Sequence, residues 1–339
     1  MSHWRRDPEA AAARLIAGCL ERIDVCGRVL VANPPAGGEL RARLAERGDR
    51  CDVWVRRLDD GGGVDARPWP PAGPFDAVLL RLPPAKDEQA MAAHAAISVL
   101  APSGRLIVYG GNEEGIRSSV AMLAGLCGEV ETLAVRGHGR VVAVRRRAGS
   151  PIRGALSDWR ITTRLVVGEA ARTWVSYPGV FAAGRIDPAT RLLIGALPQL
   201  PRGARLLDFG CGSGVIGASA LAEMPGIALD MLDNDAVALA AAGENVPEGR
   251  TILAARLIGA PAGYDAILSN PPLHRGIAED HRSLNALIRE APRHLTARGV
   301  LQIVVQRRVP VVPLLQECFQ RVSVTAQNEA YRVVRAARS

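Results

Sequence analysis

Aromatic side chains are scarce in this 339-residue chain, at 4% of all residues. Lysine is almost absent as well, since Lys86 is the only one and arginine supplies the remaining positive charge. Any core must therefore be built mainly from Ala, Val and Leu, which a hydrophobic content of 48% allows. The arginines give a formal net charge of +8, which suits a polyanionic partner and equally a solvated basic surface.

Paired cysteines and long apolar runs are missing too. The six cysteines are spread along the chain without any C-x-x-C spacing, which argues against a metal site and against a disulfide framework. We therefore expect reduced thiols, no metal and a cytoplasmic location. No run of ~18 apolar residues occurs and the amino terminus lacks the pattern of a signal peptide, so we expect no membrane partner.

Strand-like and helix-like segments alternate along the chain, which is typical of a parallel α/β fold. Their order in the first half recurs in the second. "FDAVLLRLPP" at 75–84, a helix and "LAPSGRLIVYGG" at 100–111 match "YDAILSNPP" at 264–272, a helix and "LTARGVLQIVVQ" at 295–306. We interpret this as an internal duplication of one doubly wound unit. It predicts two domains, at 1–148 and 157–339, joined through a linker within 145–159 that is rich in Gly, Pro and Ser.

A glycine-rich loop, "LLDFGCGSGVIG" at 206–217, follows a predicted strand and precedes a predicted helix. Glycine lets the backbone turn sharply and approach a ligand, and the helix N-terminus offers free N–H groups. A dinucleotide would favour G-x-G-x-x-G, whereas G-x-G-x-G after an acid suits S-adenosylmethionine, whose ammonium group Asp208 can receive. A tight turn without a ligand is the alternative. The candidate cofactor residues of this loop are Asp208, Gly210, Cys211, Gly212 and Gly214.

The next predicted strand ends in "DND" at 233–235. Asp233 lies about 20 residues after the last glycine of the loop, where an acid binds ribose hydroxyls in this topology. Asp235 competes for that role, but it is better placed to cap the following helix. Asn234, between the two acids, joins Asp233 among the candidate cofactor contacts.

The stretch "SNPPLHRG" at 269–276 places Asn270 at the end of another predicted strand. Pro271 and Pro272 fix the backbone and remove two donors, which leaves a rigid turn with carbonyl oxygens and one amide. These acceptors suit an exocyclic amine on an aromatic ring. If the Asn270 side-chain oxygen and the Pro271 carbonyl accept its two hydrogens, the nitrogen lone pair points at a methyl donor, and positioning supplies most of the catalysis. An ordinary Asn-Pro loop is the alternative for the tetrapeptide alone.

The first half lacks these features. Leu82 stands before its Pro-Pro pair, and its first strand, "VLVANPPAGGE" at 29–39, continues without a G-x-G-x-G loop. We interpret the first half as a degenerate copy that remains as a scaffold. Its arginines, including Arg81, Arg117 and Arg140, are candidate phosphate contacts.

The stretches "DFGCGSG", "DND" and "SNPPLHRG", with "YPGVF" at 177–181, resemble class I S-adenosylmethionine-dependent methyltransferases that modify exocyclic amines. They are similar above all to the ribosomal RNA small subunit methyltransferase C family, guanine-N2 methyltransferases with tandem duplicated domains. The resemblance is strong over 174–339 and weaker over 75–147. It implies two tandem Rossmann-like class I methyltransferase domains, of which the degenerate N-terminal copy helps to fold the chain and hold RNA. It also implies S-adenosylmethionine as cofactor and a guanine in small-subunit (16S) ribosomal RNA as substrate.

The resemblance assigns roles residue by residue. It gives the catalytic role to Asn270, Pro271 and Pro272, the cofactor role to the glycine loop and Asp233, and a place at the edge of the cofactor pocket to Phe181. Leu273 stands where the family carries an aromatic that stacks on the target base, a contact worth ~1–3 kcal/mol. Trp174 or Tyr177 is a possible substitute. The candidate substrate contacts are His274, Arg275 and Tyr177. Ala254 and Ala255 stand where a polar residue commonly contacts adenine.

Three alternatives stay open. Enzymes that methylate protein glutamine or DNA adenine carry the same motif. A non-catalytic RNA-binding or ribosome-assembly protein is the third, favoured by Leu273 and by the lack of a polar adenine contact. For the first interpretation we expect ribosomal RNA or the small ribosomal subunit as partner and a monomeric protein.

Overall fold

A computed structural model describes residues 8–23, 27–35, 38–59, 65–271 and 277–338. The chain forms two compact units. The first contains Met1–Arg56 and Gly63–Trp159, and the second contains Arg57–Gly62 and Arg160–Ser339. None of the described helices combines the length and apolarity that a bilayer crossing needs.

In its described part, the first unit is a sheet with helices on both faces. Its helices are α1 (Pro8–Ala17), α2 (Glu39–Glu46), α3 (Lys86–Ser98) and α4 (Ile116–Cys127). Its strands are β1 (Arg28–Ala32), β2 (Arg50–Trp54), β3 (Phe75–Arg81), β4 (Leu100–Gly111), β5 (Glu131–Arg136) and β6 (Gly139–Arg145). The strand order is β2-β1-β3-β4-β6-β5, and only the pairs of β6 are antiparallel. Alternate residues of β1 and β3 enter two cores, one with α1 and α2 and one with α3 and α4.

The second unit opens with a hairpin of β7 (Ile161–Val167) and β8 (Ala170–Ser176), followed by the short helix α5 (Pro188–Ile194). Its remaining strands are β9 (Arg205–Phe209), β10 (Ala228–Asp233), β11 (Arg250–Leu253), β12 (Tyr264–Ser269), β13 (Leu295–Gln306), β14 (Arg321–Gln327) and β15 (Tyr331–Ala337). Its remaining helices are α6 (Val215–Glu223), α7 (Ala236–Asn245), α8 (Ile277–His294) and α9 (Val311–Cys318). The sheet order is β11-β10-β9-β12-β13-β15-β14. These two mostly parallel sheets confirm the predicted α/β class and its two Rossmann-like units.

An irregularity of strand pairing recurs at the same place in both units. The β3–β4 pairing shifts register between Phe75 and Ala77, and the β12–β13 pairing shifts between Tyr264 and Ala266. Because bulges are local features of particular sequences, a shared bulge fixes which residues of the two units correspond. Ala77 therefore corresponds to Ala266.

A second repeated feature lies at the amino ends of the central strands. The backbone N–H of Arg28 donates to Asp76 Oδ2 at 2.8 Å, and that of Arg205 donates to Asp265 Oδ2 at 2.9 Å. Each arginine also places its guanidinium over the aromatic ring that opens the neighbouring strand, at 4.2 Å and 4.8 Å from the ring centre. The duplicated sequence thus folds into duplicated contacts.

Several short elements were not expected from the sequence. They are α2, α4, α5, α9, β5, β11 and β14. Most residues of β5, β11 and β14 are exposed or half-buried, so these edge strands lack the apolar runs that mark the central ones.

Candidate active site

The sheet of the second unit reverses its winding between β9 and β12. From β9 the chain continues through α6 to β10 and through α7 to β11, and it then returns to β12 on the other side of β9. The crevice at the carboxyl ends of strands at such a point is where open α/β sheets bind ligands. Leu268 pairs with Asp208, so Asn270 and Gly210 leave neighbouring strands side by side. Strands are separated by ~4.8 Å in the pairing direction.

The glycine loop requires left-handed backbone at three positions. The φ angles are +69° at Gly210, +55° at Gly212 and +89° at Gly214. A Cβ at Gly214 would lie 3.0 Å from Val246 and 3.2 Å from Met231, so packing also excludes a side chain there. A Cβ at Gly210 or Gly212 would meet nothing within 4 Å. These two glycines therefore leave open space beside the loop, which a ligand can fill.

Cys211 belongs to the core of the unit. Its side chain is buried, and burial, reinforced by the charges of Asp233 and Asp208, raises the pKa of its thiol well above the usual range. Its backbone N–H donates to Leu232 at 3.0 Å, beside the matching bond from Gly210 at 2.8 Å. Any contribution of Cys211 to a ligand site comes from its backbone.

Asp208 lies beneath the loop and is fully buried. Its Oδ2 accepts a hydrogen bond from the backbone of Gly217, in the first turn of α6, at 3.0 Å. Its Oδ1 is buried and accepts no hydrogen bond from the described residues. Burial raises the pKa of this carboxyl to about 7, a larger effect than the lowering by the Gly217 N–H. A buried acid with one unused oxygen fits a cationic ligand.

Asp233 ends β10 and is half-buried. Its Oδ2 accepts from the backbone of Gly212 at 2.8 Å and its Oδ1 from that of Asp235 at 2.9 Å. Burial raises its pKa to about 6, and the nearby charge of Asp235 adds to this. Each oxygen retains a second lone pair, which a ribose hydroxyl could use.

The two residues after Asp233 have separate tasks. Asp235 caps α7 by accepting from the backbones of Val237 and Ala238, which confirms the role expected for it. Asn234 donates from its side chain to the carbonyl of Leu58 at 2.9 Å, and its backbone carbonyl accepts the N–H of Leu58 at 2.9 Å. Its side-chain amide therefore holds Leu58 beside the end of β10 rather than standing free for a ligand.

Asn270 extends from the tip of β12 and is held by α5. Its Nδ2 donates to Thr190 Oγ1 at 2.8 Å and to Asp187 Oδ2 at 3.2 Å. Pro271, next to it, is buried. Pro272, Leu273, His274 and Arg275 lie outside the described residues. Asp187 and Thr190 were not expected from the sequence, because no local pattern connects α5 with a strand tip about 80 residues away.

Two aromatic side chains near the end of β8 are buried, although we expected them to be open to a substrate. Tyr177 is 3% exposed and its hydroxyl donates to Glu244 at 2.5 Å. Burial, followed by the Glu244 bond, raises its pKa to about 12. Trp174 is fully buried. Neither ring is open to a substrate, so neither replaces the missing aromatic at 273, and the expected substrate contact of Tyr177 becomes a core contact. Phe181 exposes 55% of its surface.

The hairpin and α7 hold the glycine loop through Ser213. The Trp174 indole donates to Ser213 Oγ at 3.0 Å. Asn245, at the end of α7, donates to the carbonyl of Ser213 at 3.0 Å and exchanges two bonds with the backbone of Val175. No local pattern in the sequence indicates these contacts, since each partner is distant along the chain.

The corresponding positions of the first unit carry other residues. Matching the registers of the two sheets places Val31 at the position of Asp208 and Val55 at that of Asp233. Asn33 takes the place of Gly210, with a φ of +50° and the same backbone bond to the next strand, at 2.8 Å. The turn has been kept, whereas the acids have not.

The position of Asn270 in the first unit is occupied by Arg81. Counting back from the prolines gives Leu82, but the register that pairs Ala77 with Ala266 gives Arg81, which corrects the expectation. Arg81 is buried and donates to both carboxylate oxygens of Glu114, at 2.9 Å and 2.5 Å. An ion pair in that place supplies no acceptor for an amine.

At 254–255, where the resemblance places a polar contact to adenine, the only polar groups are those of the backbone. Ala254 is buried and its N–H donates to the carbonyl of Asp233 at 3.1 Å. The side chains that fit S-adenosylmethionine are Asp208 and Asp233, around open space at Gly210 and Gly212. Their negative charge complements the positive sulfonium and ammonium groups of that cofactor.

Comparisons with known proteins identify relatives of this chain. Residues 171–335 match the family described as Methyltransferase small domain. A Ribosomal RNA small subunit methyltransferase C from Pseudomonas fluorescens is 34% identical over 281 residues, 81% of this chain and 82% of the relative. One from Stutzerimonas stutzeri is 32% identical over 324 residues, 92% and 95% of the two chains.

A solved structure shares the fold over the whole length. The T. thermophilus 16S rRNA N2 G1207 methyltransferase, solved in complex with AdoMet and guanosine, superposes with a TM-score of 0.82. The match covers 100% of this chain and 94% of that one, at 24% sequence identity. At that identity the likeness establishes the tandem fold.

Proposed function

We propose that this chain, which belongs to the ribosomal RNA small subunit methyltransferase C family, transfers a methyl group from S-adenosylmethionine to the exocyclic N2 amine of a guanine in small-subunit (16S) ribosomal RNA. The family membership confirms the resemblance drawn from the sequence. It also makes the chain an S-adenosylmethionine-dependent methyltransferase.

In our proposal, different residues of the second unit contact different parts of the cofactor. S-adenosylmethionine, when bound, supplies an electrophilic methyl group on a sulfonium sulfur. In our proposal Asp208 and the glycine loop hold its amino-acid end, and Asp233 accepts hydrogen bonds from the ribose hydroxyls. Support comes from the unused oxygen of Asp208 and from the open space at Gly210 and Gly212.

The observation that carries the proposal is the position of Asn270. Its strand, β12, pairs with β9, and the two tips leave the sheet beside each other at the switch point. In our proposal the Asn270 side-chain oxygen and the Pro271 carbonyl accept the two hydrogens of the guanine N2. This orients the nitrogen lone pair toward the methyl, and the proton leaves after transfer. Such positioning is worth several orders of magnitude in rate.

We assign the remaining functions by unit. The second unit contains every side chain placed at the site, so a single chain is complete and a monomer suffices. The first unit, which lacks the two acids and the amide, is assigned to folding and RNA binding. Ribosomal RNA as substrate and the free cysteines among the described residues favour the cytoplasm, without a membrane partner.

A panel of acceptors tests the proposed function. Purified protein with methyl-labelled S-adenosylmethionine is incubated with naked small-subunit RNA, assembled small subunits, DNA and release-factor protein. We expect label in one of the RNA samples and none in DNA or protein. Label in DNA or protein alone would favour the adenine or glutamine alternative, and failure to bind S-adenosylmethionine in calorimetry would favour a non-catalytic RNA-binding protein.

A further inference from the structure

The amide of Asn270 can perform its proposed role in only one of two orientations. With its oxygen toward the crevice, it accepts a hydrogen from an amine. Rotated by 180° about its last bond, it presents its NH₂ group, and two donors would face each other. The two orientations have the same shape, so only hydrogen-bond partners distinguish them.

Asp187 and Thr190 supply those partners. Asp187 Oδ2 lies 3.2 Å from Asn270 Nδ2, and an ionised carboxylate only accepts hydrogen bonds. Thr190 Oγ1 lies 2.8 Å from the same nitrogen. The Thr190 hydroxyl donates its own proton to Asp187 Oδ2, so only its lone pairs remain for Asn270. Both neighbours therefore require the nitrogen of Asn270 on their side.

The two partners are themselves fixed. Asp187 is the N-cap of α5 and accepts from the backbones of Ala189, at 2.9 Å, and Thr190. Thr190 is 7% exposed, and Leu193 of the same helix is fully buried in the core. A capped, buried helix leaves neither side chain free to turn.

We propose that Asp187 and Thr190 are positioning residues that set the orientation of the Asn270 amide and so direct its oxygen at the acceptor amine. The inference rests on the proposed function of Asn270, but not on guanine as the substrate. Glutamine and adenine also present an NH₂ group, which requires the same orientation of the amide.

Two matched substitutions at Thr190 test the role. Thr190→Val keeps the shape and removes the acceptor, and Thr190→Ser keeps the acceptor. We expect Thr190→Val to lower kcat about tenfold with an unchanged KM for S-adenosylmethionine, and Thr190→Ser to restore kcat. Equal kcat values for the Val and Ser variants would overturn the inference.

Asp187→Asn provides an independent variant that preserves the helix cap, because Asn caps as well as Asp. Its NH₂ group would face the NH₂ group of Asn270 and favour the rotated amide. We expect kcat to fall about 10²-fold with little change in Tm. A wild-type kcat in this variant would also contradict the proposal.

Combination with Asn270→Ala separates positioning from general support of the fold. Residues that act only through Asn270 cause no further loss once that amide is gone. We therefore expect Thr190→Val to leave the residual rate of Asn270→Ala unchanged in single-turnover assays. A loss in the double variant as large as in the wild-type background would indicate a structural role and refute the inference.

A spectroscopic readout distinguishes this inference from the proposed function. The side-chain NH₂ signals of Asn270, assigned by their absence from Asn270→Ala, report its hydrogen bonds without any substrate. We expect Thr190→Val to shift them and Thr190→Ser to leave them near their original positions. A wild-type protein that methylates no acceptor would overturn the function, whereas unchanged NH₂ signals in Thr190→Val would overturn the positioning role.

Discussion

Asp208 combines full burial with an oxygen that accepts no hydrogen bond from the described residues. Burial raises its pKa to about 7, and it raises the pKa of Asp233 to about 6. Both carboxyls therefore hold protons at a pH where most acids have lost them. A cation bound at Asp208 and hydroxyls that donate to Asp233 both favour the ionised carboxyl, which couples cofactor binding to pH.

This coupling has a defined sign. Below pH about 7 a growing fraction of Asp208 is protonated, and below about 6 the same applies to Asp233, so protons compete with the cofactor at both carboxyls. We expect the affinity for S-adenosylmethionine to rise from pH about 5 to about 7.5, by up to about tenfold per pH unit for each group below its pKa. Calorimetry in buffers of different ionisation enthalpy would measure affinity and proton release together.

Asp208→Asn is the control for this prediction. It keeps an acceptor for the Gly217 N–H and removes the titrating group, so it should weaken binding at neutral pH and eliminate the upper part of the pH dependence. An affinity of the wild-type protein that does not change over this range would contradict the proposed contacts of both acids.

Two glycines with positive φ allow the effect of backbone strain to be distinguished from the effect of ligand contact. Gly212 and Gly203 both have positive φ, +55° and +82°, and at both positions a Cβ would meet nothing within 4 Å. Gly212 belongs to the loop, whereas Gly203 precedes the amino end of β9. Alanine should lower the free energy of unfolding by about 1 kcal/mol at either position.

Only Gly212→Ala should affect the cofactor. Its new methyl group would occupy the open space beside the loop and overlap with a bound ligand. We therefore expect the affinity for S-adenosylmethionine to fall about tenfold or more. Gly203→Ala should bind as the wild type does. Thermal unfolding and calorimetry on the two variants would check this, and equal affinities would exclude a ligand at Gly212.

The sequence predicted those parts of the site that depend on local pattern. Asp208, Gly212, Asp233 and Asn270 lie at or just beyond the carboxyl ends of apolar strands, and parallel strands bring such ends to one edge of the sheet. Asp187, Thr190, Trp174 and Asn245 were missed, because their contacts join elements far apart in sequence. The mismatch of Leu82 and Arg81 has a similar origin. Strand pairing, rather than spacing from the prolines, defines the corresponding position.

The two units share one fold but differ in their polar residues. The repeated bulge and the repeated Asp–Arg contacts preserve the sheet in both. Val31, Val55 and Arg81 in the first unit replace the acids and the amide. The two units thus share the contacts of their strands and differ in the chemistry of the strand ends.

This difference predicts one cofactor site per chain. Calorimetry should give a stoichiometry of one S-adenosylmethionine, and Asp233→Ala should greatly weaken that single site. Val55→Ala, at the corresponding position of the first unit, should leave the affinity unchanged. Two sites per chain, or a loss of affinity in Val55→Ala, would mean that the first unit has retained a binding function.

In our proposal the Asn270 amide directs the N2 amine of a guanine at the methyl group. Nucleoside mass spectrometry of small-subunit RNA, methylated by wild type, Asn270→Ala or Asn328→Ala, tests this role. Asn328 lies on the exposed turn between β14 and β15 and controls for the substitution itself. We predict N2-methylguanosine with wild type and Asn328→Ala, and formation about 10²-fold or more slower with Asn270→Ala at unchanged cofactor affinity. Equal rates for Asn270→Ala and wild type would contradict the proposed role of Asn270, and a methylated product other than N2-methylguanosine would contradict the proposed reaction.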